Sequence, residues 1–373
     1  MKTEIRRMEY VYGYLFHLDV FSTIGGVRML FQGILIDCFQ KINQERTSSS
    51  VFNLLTGKKA IQTIQDARFY QIADYYGIYP DLSKEEYNQQ LRQLLDAAYM
   101  LEDETHKLYI TDKGQAWLSS RKADLGGFQG SKYANIVEPF KQRFLLFIQT
   151  FTNTSKNQYR FIPITDHFEI EQFIKQIYKQ YKHRSAEVLQ QLYTELTEAL
   201  SGMSDLEASM FVDRITSFYS YGSSLQQLSQ DYQLSISDCY LILQKTFYHL
   251  LRVQESSTNY PMLHLLTKHL QTSHTTLSQT AQFTRRLLQK NRSFEEIMQI
   301  RKLKANTIQD HLVEIAMQEE TFPFFDYLDS VAYEEIKTAV HTKQTYRLKE
   351  IKNNVHPDIT YFQIRLALVL YNK

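Results

Sequence analysis

Most of the residues in this chain that could do chemistry fail on spacing. A phosphate-cradling loop needs glycines that let backbone N–H groups close around the anion, then Lys and a hydroxyl residue. The nearest candidate, Gly57-Lys58-Lys59, lacks the upstream glycine and the hydroxyl. This excludes a Walker-type ATPase loop, and Gly25-Gly26 is too isolated to be a dinucleotide fingerprint. His264, His269 and His274 recur every five residues, which on a helix turns successive rings by about 140° and denies them a shared metal. Glu85-Glu86, Glu295-Glu296 and Glu334-Glu335 are each read in the first turn of a helix, where carboxylates face the positive end of the helix dipole. Cys38 and Cys239 are too few for a disulfide framework or a four-cysteine zinc module. No catalytic residue, cofactor or metal is expected, and the chain reads as non-enzymatic.

The chemistry that remains is recognition of phosphate. Between Arg285 and His311 the basic residues Arg285, Arg286, Lys290, Arg292, Arg301, Lys302 and Lys304 face only Glu295, Glu296 and Asp310. Lys, Arg and helix amides hold phosphates, while side chains on the first turns of a recognition helix reach base edges. The candidate DNA-binding residues here are therefore Arg285, Arg286, Arg301, Lys302 and Lys304, with Asn306, Thr307, Gln309 and His311 on the helix that follows. A second, smaller set of donors is Lys58, Lys59, Ser83 and Lys84.

The elements that must position these residues are mostly helices. Gly and Pro number only 12 and 6 against 26 Tyr and 23 Phe, so turn punctuation is scarce. The 373 residues suggest two or three domains, at about 100–200 residues each. Lys and Arg total 42 against 41 Asp and Glu, and 43% of residues are hydrophobic; this balance excludes a disordered chain and names no partner. The basic residues Lys2, Arg6 and Arg7 precede a stretch broken by His17 and Asp19, unlike a signal peptide. The apolar windows Ile24 to Phe39 and Phe144 to Phe151 are interrupted or too short for the roughly 20 residues of a membrane span. A cytoplasmic protein without a membrane segment is expected.

Three modules are legible. From Leu82 to Leu118, Ser83 and Glu86 read as a capping box opening a helix with Tyr87, Leu91, Leu94, Leu95 and Ala98 on one face. Tyr99 to Leu101, a polar tip at Asp103 to His106, and Leu108 to Ile110 read as a hairpin with a four-residue connection, and Thr111 caps a last helix carrying Trp117 and Leu118. Helix, hairpin, helix is the order of a winged helix. Gly126, Gly127 and Gly130 mark a linker over residues 123–134. Beyond it, Phe168, Phe173, Tyr178 and Tyr181 lie at helical spacing, which favours a packed core over base stacking. Ser224 to Leu251 reads as a helix-turn-helix whose Ser237, Gln244 and Lys245 could face DNA. Ser293 to Ile315 reads as another, with a capping box at Ser293 and Glu296, Leu303 in the turn and Asn306 capping the second helix.

The run from Thr47 to Tyr87, above all LLTGKKAIQTI with the following YGI and LSKEEY, resembles the winged-helix domain that follows the motor in RecQ-type helicases. In that family the hairpin can wedge open duplex DNA, often with an aromatic tip; the acidic tip at Asp103 to His106 has no Phe, Tyr or Trp. Residues from about Thr275 to Leu370 resemble the helix-turn-helix domain at the C-terminus of many bacterial RecQ-type helicases, through SFEEIMQIRKLKANTIQDHLVEIA, YEEIKTAV and RLKEIKNNVHPDITYFQIRLALVL. The whole arrangement also resembles stand-alone helix-turn-helix proteins of low-GC Gram-positive bacteria associated with a separate RecQ-type helicase. Two cysteines cannot build the zinc subdomain usual beside that winged helix.

The expectation is a mainly α, multi-domain chain. A RecQ-like winged-helix domain with N-terminal helices occupies 1–122, a linker 123–134, a helical domain with a helix-turn-helix 135–258, and a helicase-type helix-turn-helix domain 275–373. The resemblance implies DNA and a RecQ-type helicase as partners, and a part in recombination or repair. The alternatives are a transcription regulator reading a duplex operator through base edges, and a scaffold that binds only protein.

Overall fold

A computed structural model describes residues 29–270 and 277–373. His274, Gly25-Gly26 and the N-terminal residues discussed above lie outside the described residues. The fold is mainly α, with one two-stranded hairpin. Its first stretch runs α1 (Leu30–Ile42), α2 (Ser48–Leu55), α3 (Ile61–Phe69), α4 (Lys84–Asp96), β1 (Met100–Glu102), β2 (Leu108–Ile110) and α5 (Asp112–Arg121). A central stretch follows with α6 (Gly130–Tyr133), α7 (Val137–Ser155), α8 (Phe168–Tyr181), α9 (Ser185–Leu200), α10 (Asp205–Asp213), α11 (Leu225–Asp231), α12 (Ile236–Ser256) and α13 (Pro261–Thr267). The last contains α14 (Gln279–Leu288), α15 (Phe294–Arg301), α16 (Ala305–Gln318), α17 (Ser330–Lys343), α18 (Leu348–Lys352) and α19 (Tyr361–Tyr371).

Polar residues start these helices where the sequence places them. The Ser83 hydroxyl accepts the Glu86 amide at 3.1 Å, but the Glu86 carboxylate accepts from Tyr79 rather than closing the box. Full reciprocal boxes form at Ser224 with Gln227 and at Ser293 with Glu296. Glu334 and Glu335 are not in a first turn, because α17 begins at Ser330 and is capped by Asp329. In the antiparallel hairpin Met100 lies opposite Ile110 and Glu102 opposite Leu108. Residues 103–107 connect the strands, one more than the predicted tip. The Asp103 carboxylate gathers the amides of Thr105 at 2.8 Å and Lys107 at 2.9 Å, so the acid at the wing tip is spent on the turn. These hydrogen bonds hold its pKa below the usual range.

The chain forms two compact units. One contains, of the described residues, 29–34, 117–128 and 133–270. Its centre is aromatic: Phe144, Phe211 and Phe247 meet pairwise at 5.4 to 5.8 Å, and Phe140 reaches Phe247 at 6.2 Å. Ile170, Ile174 and Ile177 turn the buried face of α8 inward, and Tyr178 meets Phe151 edge-on, as the core reading of that stripe expects, whereas Phe168 at its start is largely exposed. In the helix-turn-helix of α11 and α12, α12 is an interior helix, while α11 buries Leu228. Ser237 and Gln244 are buried and Lys245 pairs with Glu207 at 2.9 Å, so the three residues read as able to face DNA do not. The expected linker contributes Leu125, Phe128 and Tyr133 to the interior.

Two buried carboxylates in this unit act as caps on distant helices. Asp238 accepts the amides of Phe31 at 2.8 Å and Met29 at 3.3 Å, at the start of α1. Glu195 accepts those of Met262 and Leu263 at 2.9 to 3.1 Å, just after Pro261 opens α13. Each pairs a negative charge with otherwise unbonded amides at the positive end of a helix. Burial raises the Asp238 pKa, and the amides it accepts partly offset this.

The second unit contains 35–116, 129–132 and, of the described residues, 277–373. Its core is built on α16 and α19, with Leu312, Ala316, Ile364 and Leu368 fully buried, and it also takes in Phe69, Ile61 and Ile64 of α3. The winged-helix residues and the C-terminal helices therefore share one apolar core, although the sequence reads them as separate domains. The side chains responsible lie on faces of α3 whose partner is hundreds of residues away.

Asp238→Ala is expected to lower stability by about 1–3 kcal/mol, because it strands buried amides. Asp238→Asn, whose amide oxygen still accepts, should lose less; urea unfolding of the full chain followed by circular dichroism compares them.

Candidate nucleic-acid interface

The C-terminal helix-turn-helix consists of α15, a turn and α16, with α14 packed behind it. The turn is tight because Lys302 adopts a left-handed conformation (φ 51°) and its amide reaches back to α15. Leu303 tucks against the core, leaving Lys302 and Lys304 exposed on either side. Helix α16 begins at Ala305, so Lys304, not Asn306, occupies the cap position. No side chain caps this helix start. Asn306 is exposed in its first turn, while Thr307 and Gln309 are half-buried. The start of α16 thus presents its amides beside two exposed lysines, the arrangement that suits an anion.

The remaining candidates in this region divide by what holds them. Arg301 is committed to α14: its guanidinium donates to the Thr280 carbonyl at 2.7 Å and the Thr284 hydroxyl at 2.6 Å, and lies 4.7 Å from the Phe283 ring centroid. Arg285 pairs with Glu319, and Arg286 is exposed. His311 is only 6% exposed, and its Nδ1 meets the Thr284 hydroxyl at 2.9 Å. Its ring belongs to the interior of the domain rather than to the reading face. Burial, with Arg301 nearby, lowers the His311 pKa. Asp310 is drawn away to Arg365 of α19 at 2.5 Å. The sequence reading missed Thr284, which holds both Arg301 and His311. Its place on the Ala281–Thr284–Leu287 face of α14 was the available signal.

The smaller candidate set sits around the winged helix. Lys58 and Lys59 are exposed in the loop between α2 and α3. That loop is fixed by Gly57, at φ 69°, where an added Cβ would come within 3.0 Å of the Gly77 Cα. The amides of Gly77 and Tyr79 donate to the Leu54 and Leu55 carbonyls at 2.8 and 2.9 Å, and Tyr76 donates its hydroxyl to the Gly57 carbonyl. The LLTGKK and YGI segments therefore form one joint, with the lysine pair on its outside. Ser83 is exposed, but its hydroxyl oxygen serves the cap of α4. Lys84 folds over Phe52 and Tyr87 at 4.5 and 4.6 Å, and its partial burial lowers its pKa. It is less available to a phosphate than Lys58 and Lys59 are.

Comparison with known proteins agrees with both modules. A model of the RQC domain matches residues 33–124, and a model described as a helix-turn-helix domain matches residues 280–368. The chain carries an RQC domain and a helix-turn-helix domain. The RecQ-type resemblance of both ends is thereby shown, and both domains are DNA-binding rather than catalytic types. Over 346 residues the chain is 28% identical to Protein YpbB of Bacillus subtilis (strain 168), covering 91% of this chain and 96% of that one. No solved structure matches. Among the described residues no helix is long and apolar enough to cross a membrane.

Two measurements separate holding from contacting residues in the helix-turn-helix domain. Arg301→Ala should lower the unfolding midpoint, whereas Lys302→Ala and Lys304→Ala should leave it within experimental error, as read by thermal denaturation. The second concerns pH. The unfolded His311 imidazole takes up a proton near pH 6.5, while the buried one resists it to lower pH. Native stability contributed by the neutral ring is therefore lost as pH falls through that window. His311→Gln should flatten this part of the pH dependence of the urea midpoint between pH 7.5 and 5.5.

Proposed function

We propose that this protein is a cytoplasmic, non-enzymatic, DNA-binding accessory of a RecQ-type helicase, acting in recombination or repair. The observation that carries this reading is the shared core: an RQC-type winged helix and a helicase-type helix-turn-helix fold as one compact unit. In this reading the motor belongs to the partner chain, since no phosphate-binding loop is present in this sequence. Both cysteines being free and buried fits a reducing compartment.

DNA docks first at the start of α16. Lys302 and Lys304 supply charge, the uncapped helix amides supply direction, and Asn306 supplies a donor at the same end. Arg301 shapes this surface from behind by tying α15 to α14. Lys58 and Lys59 add a second phosphate contact on the winged helix, or a point of attachment for the helicase. The wing plays no strand-separating part, because Asp103 closes its own turn and the tip carries no Phe, Tyr or Trp.

Fluorescence anisotropy of the full chain with duplex, forked and single-stranded DNA at two salt concentrations tests the reading. Affinity should fall steeply with salt, and Lys302→Ala/Lys304→Ala should weaken duplex binding and reduce the log–log salt slope by roughly 1–2, at about 0.9 per lost phosphate contact. Absent or salt-insensitive binding overturns DNA docking. A large preference for one duplex sequence over forks favours an operator-binding regulator instead. Capture of a RecQ-type ATPase by the tagged chain in nuclease-treated lysate tests the partner.

A further inference from the structure

In the central unit, the residues around the C-terminal end of α7 expose rings that the core does not use. Two loops meet there. Residues 156–167 follow α7, and the Gln149 side chain brackets them by donating to the Ile162 carbonyl and accepting the Ile164 amide, both at 3.0 Å. Residues 214–223 follow α10 and are tied to α7 by the Phe218 amide, which donates to the Thr152 hydroxyl at 3.1 Å. The second loop is also braced internally. The Gly222 amide donates to Thr216, the Ser217 amide to the Ser220 carbonyl, and Arg214 to the Ser223 carbonyl.

These braces hold large rings in water. Tyr221 is 93% exposed, Tyr159 64% and Tyr219 53%. Phe218 supports Tyr219 edge-on at 5.1 Å, and the Lys156 ammonium lies 5.4 Å from the Tyr219 ring centroid. Exposed rings on two well-bonded loops that meet at Lys156 and Tyr219 mark an interaction surface rather than stray surface residues. The charge says which kind. The two loops contain Lys156, Arg160 and Arg214 against the single acid Asp166, although the whole chain is almost balanced. Flat rings beside a local excess of cations suit a ligand with stackable faces and a negatively charged backbone.

We propose that these loops form a second nucleic-acid site, one for single strands. Tyr159, Tyr219 and Tyr221 stack on bases, and Lys156 and Arg160 hold the intervening phosphates. Stacking accepts any base, so the site binds strands without sequence preference. It is separate in composition from the lysine-and-amide surface of α16, which lacks rings, and it stands whether or not that surface docks duplex DNA.

The test uses the full chain, fluorescein-labelled oligo(dT) and a blunt duplex. Tyr159→Ala/Tyr219→Ala/Tyr221→Ala should weaken oligo(dT) binding about tenfold or more with duplex affinity unchanged. Lys302→Ala/Lys304→Ala should show the converse. A photocrosslink from 5-iododeoxyuridine should map to one of the three tyrosines. The replaced rings lie in water, and an unchanged unfolding midpoint verifies that the variant is folded. Oligo(dT) binding absent from the parent chain, or equal in the triple variant, overturns the proposal. So does a triple variant whose only defect is loss of helicase capture, which would make the patch a protein dock. Failure of duplex binding alone would count against the α16 surface and leave this site standing.

Discussion

The second unit depends on one buried ion pair and the hydrogen bonds gathered around it. Arg46 makes a bidentate pair with Asp66 of α3, at 2.9 and 2.8 Å, while reaching the Tyr346 carbonyl at 3.4 Å. The neighbouring Glu45 carboxylate accepts the Tyr70 hydroxyl and the Tyr346 amide, and Arg347 returns to the Gln44 and Glu45 carbonyls. Both charges of the pair are largely removed from water. Burial pushes Asp66 above its usual range, against the pull of Arg46. Removing either partner would leave an uncompensated charge, at about 3–5 kcal/mol for pairs of this kind. Fixed directionally in this way, the segment after α1 brings the winged helix and the C-terminal helices onto one apolar core.

A consequence is that charge in this protein has two uses, and residue type does not distinguish them. Asp238, Glu195 and Glu314 close helix starts from a distance; Glu314 accepts the Ser278 amide and hydroxyl ahead of α14. Arg301 and Arg285 brace helices, and Lys245 holds Glu207. Cations that face water beside a feature able to hold a ligand fall in three places: Lys302 and Lys304 beside an uncapped helix start, Lys58 and Lys59 beyond the Gly57–Gly77 joint, and Arg160, with half-buried Lys156, beside exposed rings. A nearly neutral chain can present local basic surfaces in part because Asp66, Glu195, Asp238 and Glu314 are buried on internal partners.

Much of the local structure was legible. Ser224, Ser293 and Ser83 start helices where their spacing to Gln227, Glu296 and Glu86 requires, and the hairpin follows from alternating apolar residues around a polar tip. These signals act over three or four residues, so they survive in sequence alone. Several of the assignments that moved concern side-chain direction. His311, Ser237 and Gln244 sit on amphipathic helices where polar character suggested solvent, yet each points inward to a polar partner or a crowded interior. A buried polar residue with a partner reads the same in sequence as an exposed one.

The sequence by itself determined the helix starts, the winged-helix and helix-turn-helix order, and the residues that carry the resemblance at both ends. All are set by short-range hydrogen bonding and periodicity. Tertiary contacts alone set the shared core of the two end modules, which arginines brace and which lysines face water, and the meeting of Lys156 with Tyr219. Those outcomes rest on contacts such as Arg46 with Tyr346 and Thr152 with Phe218. The partners there are far apart along the chain, and no local preference of either residue encodes the other.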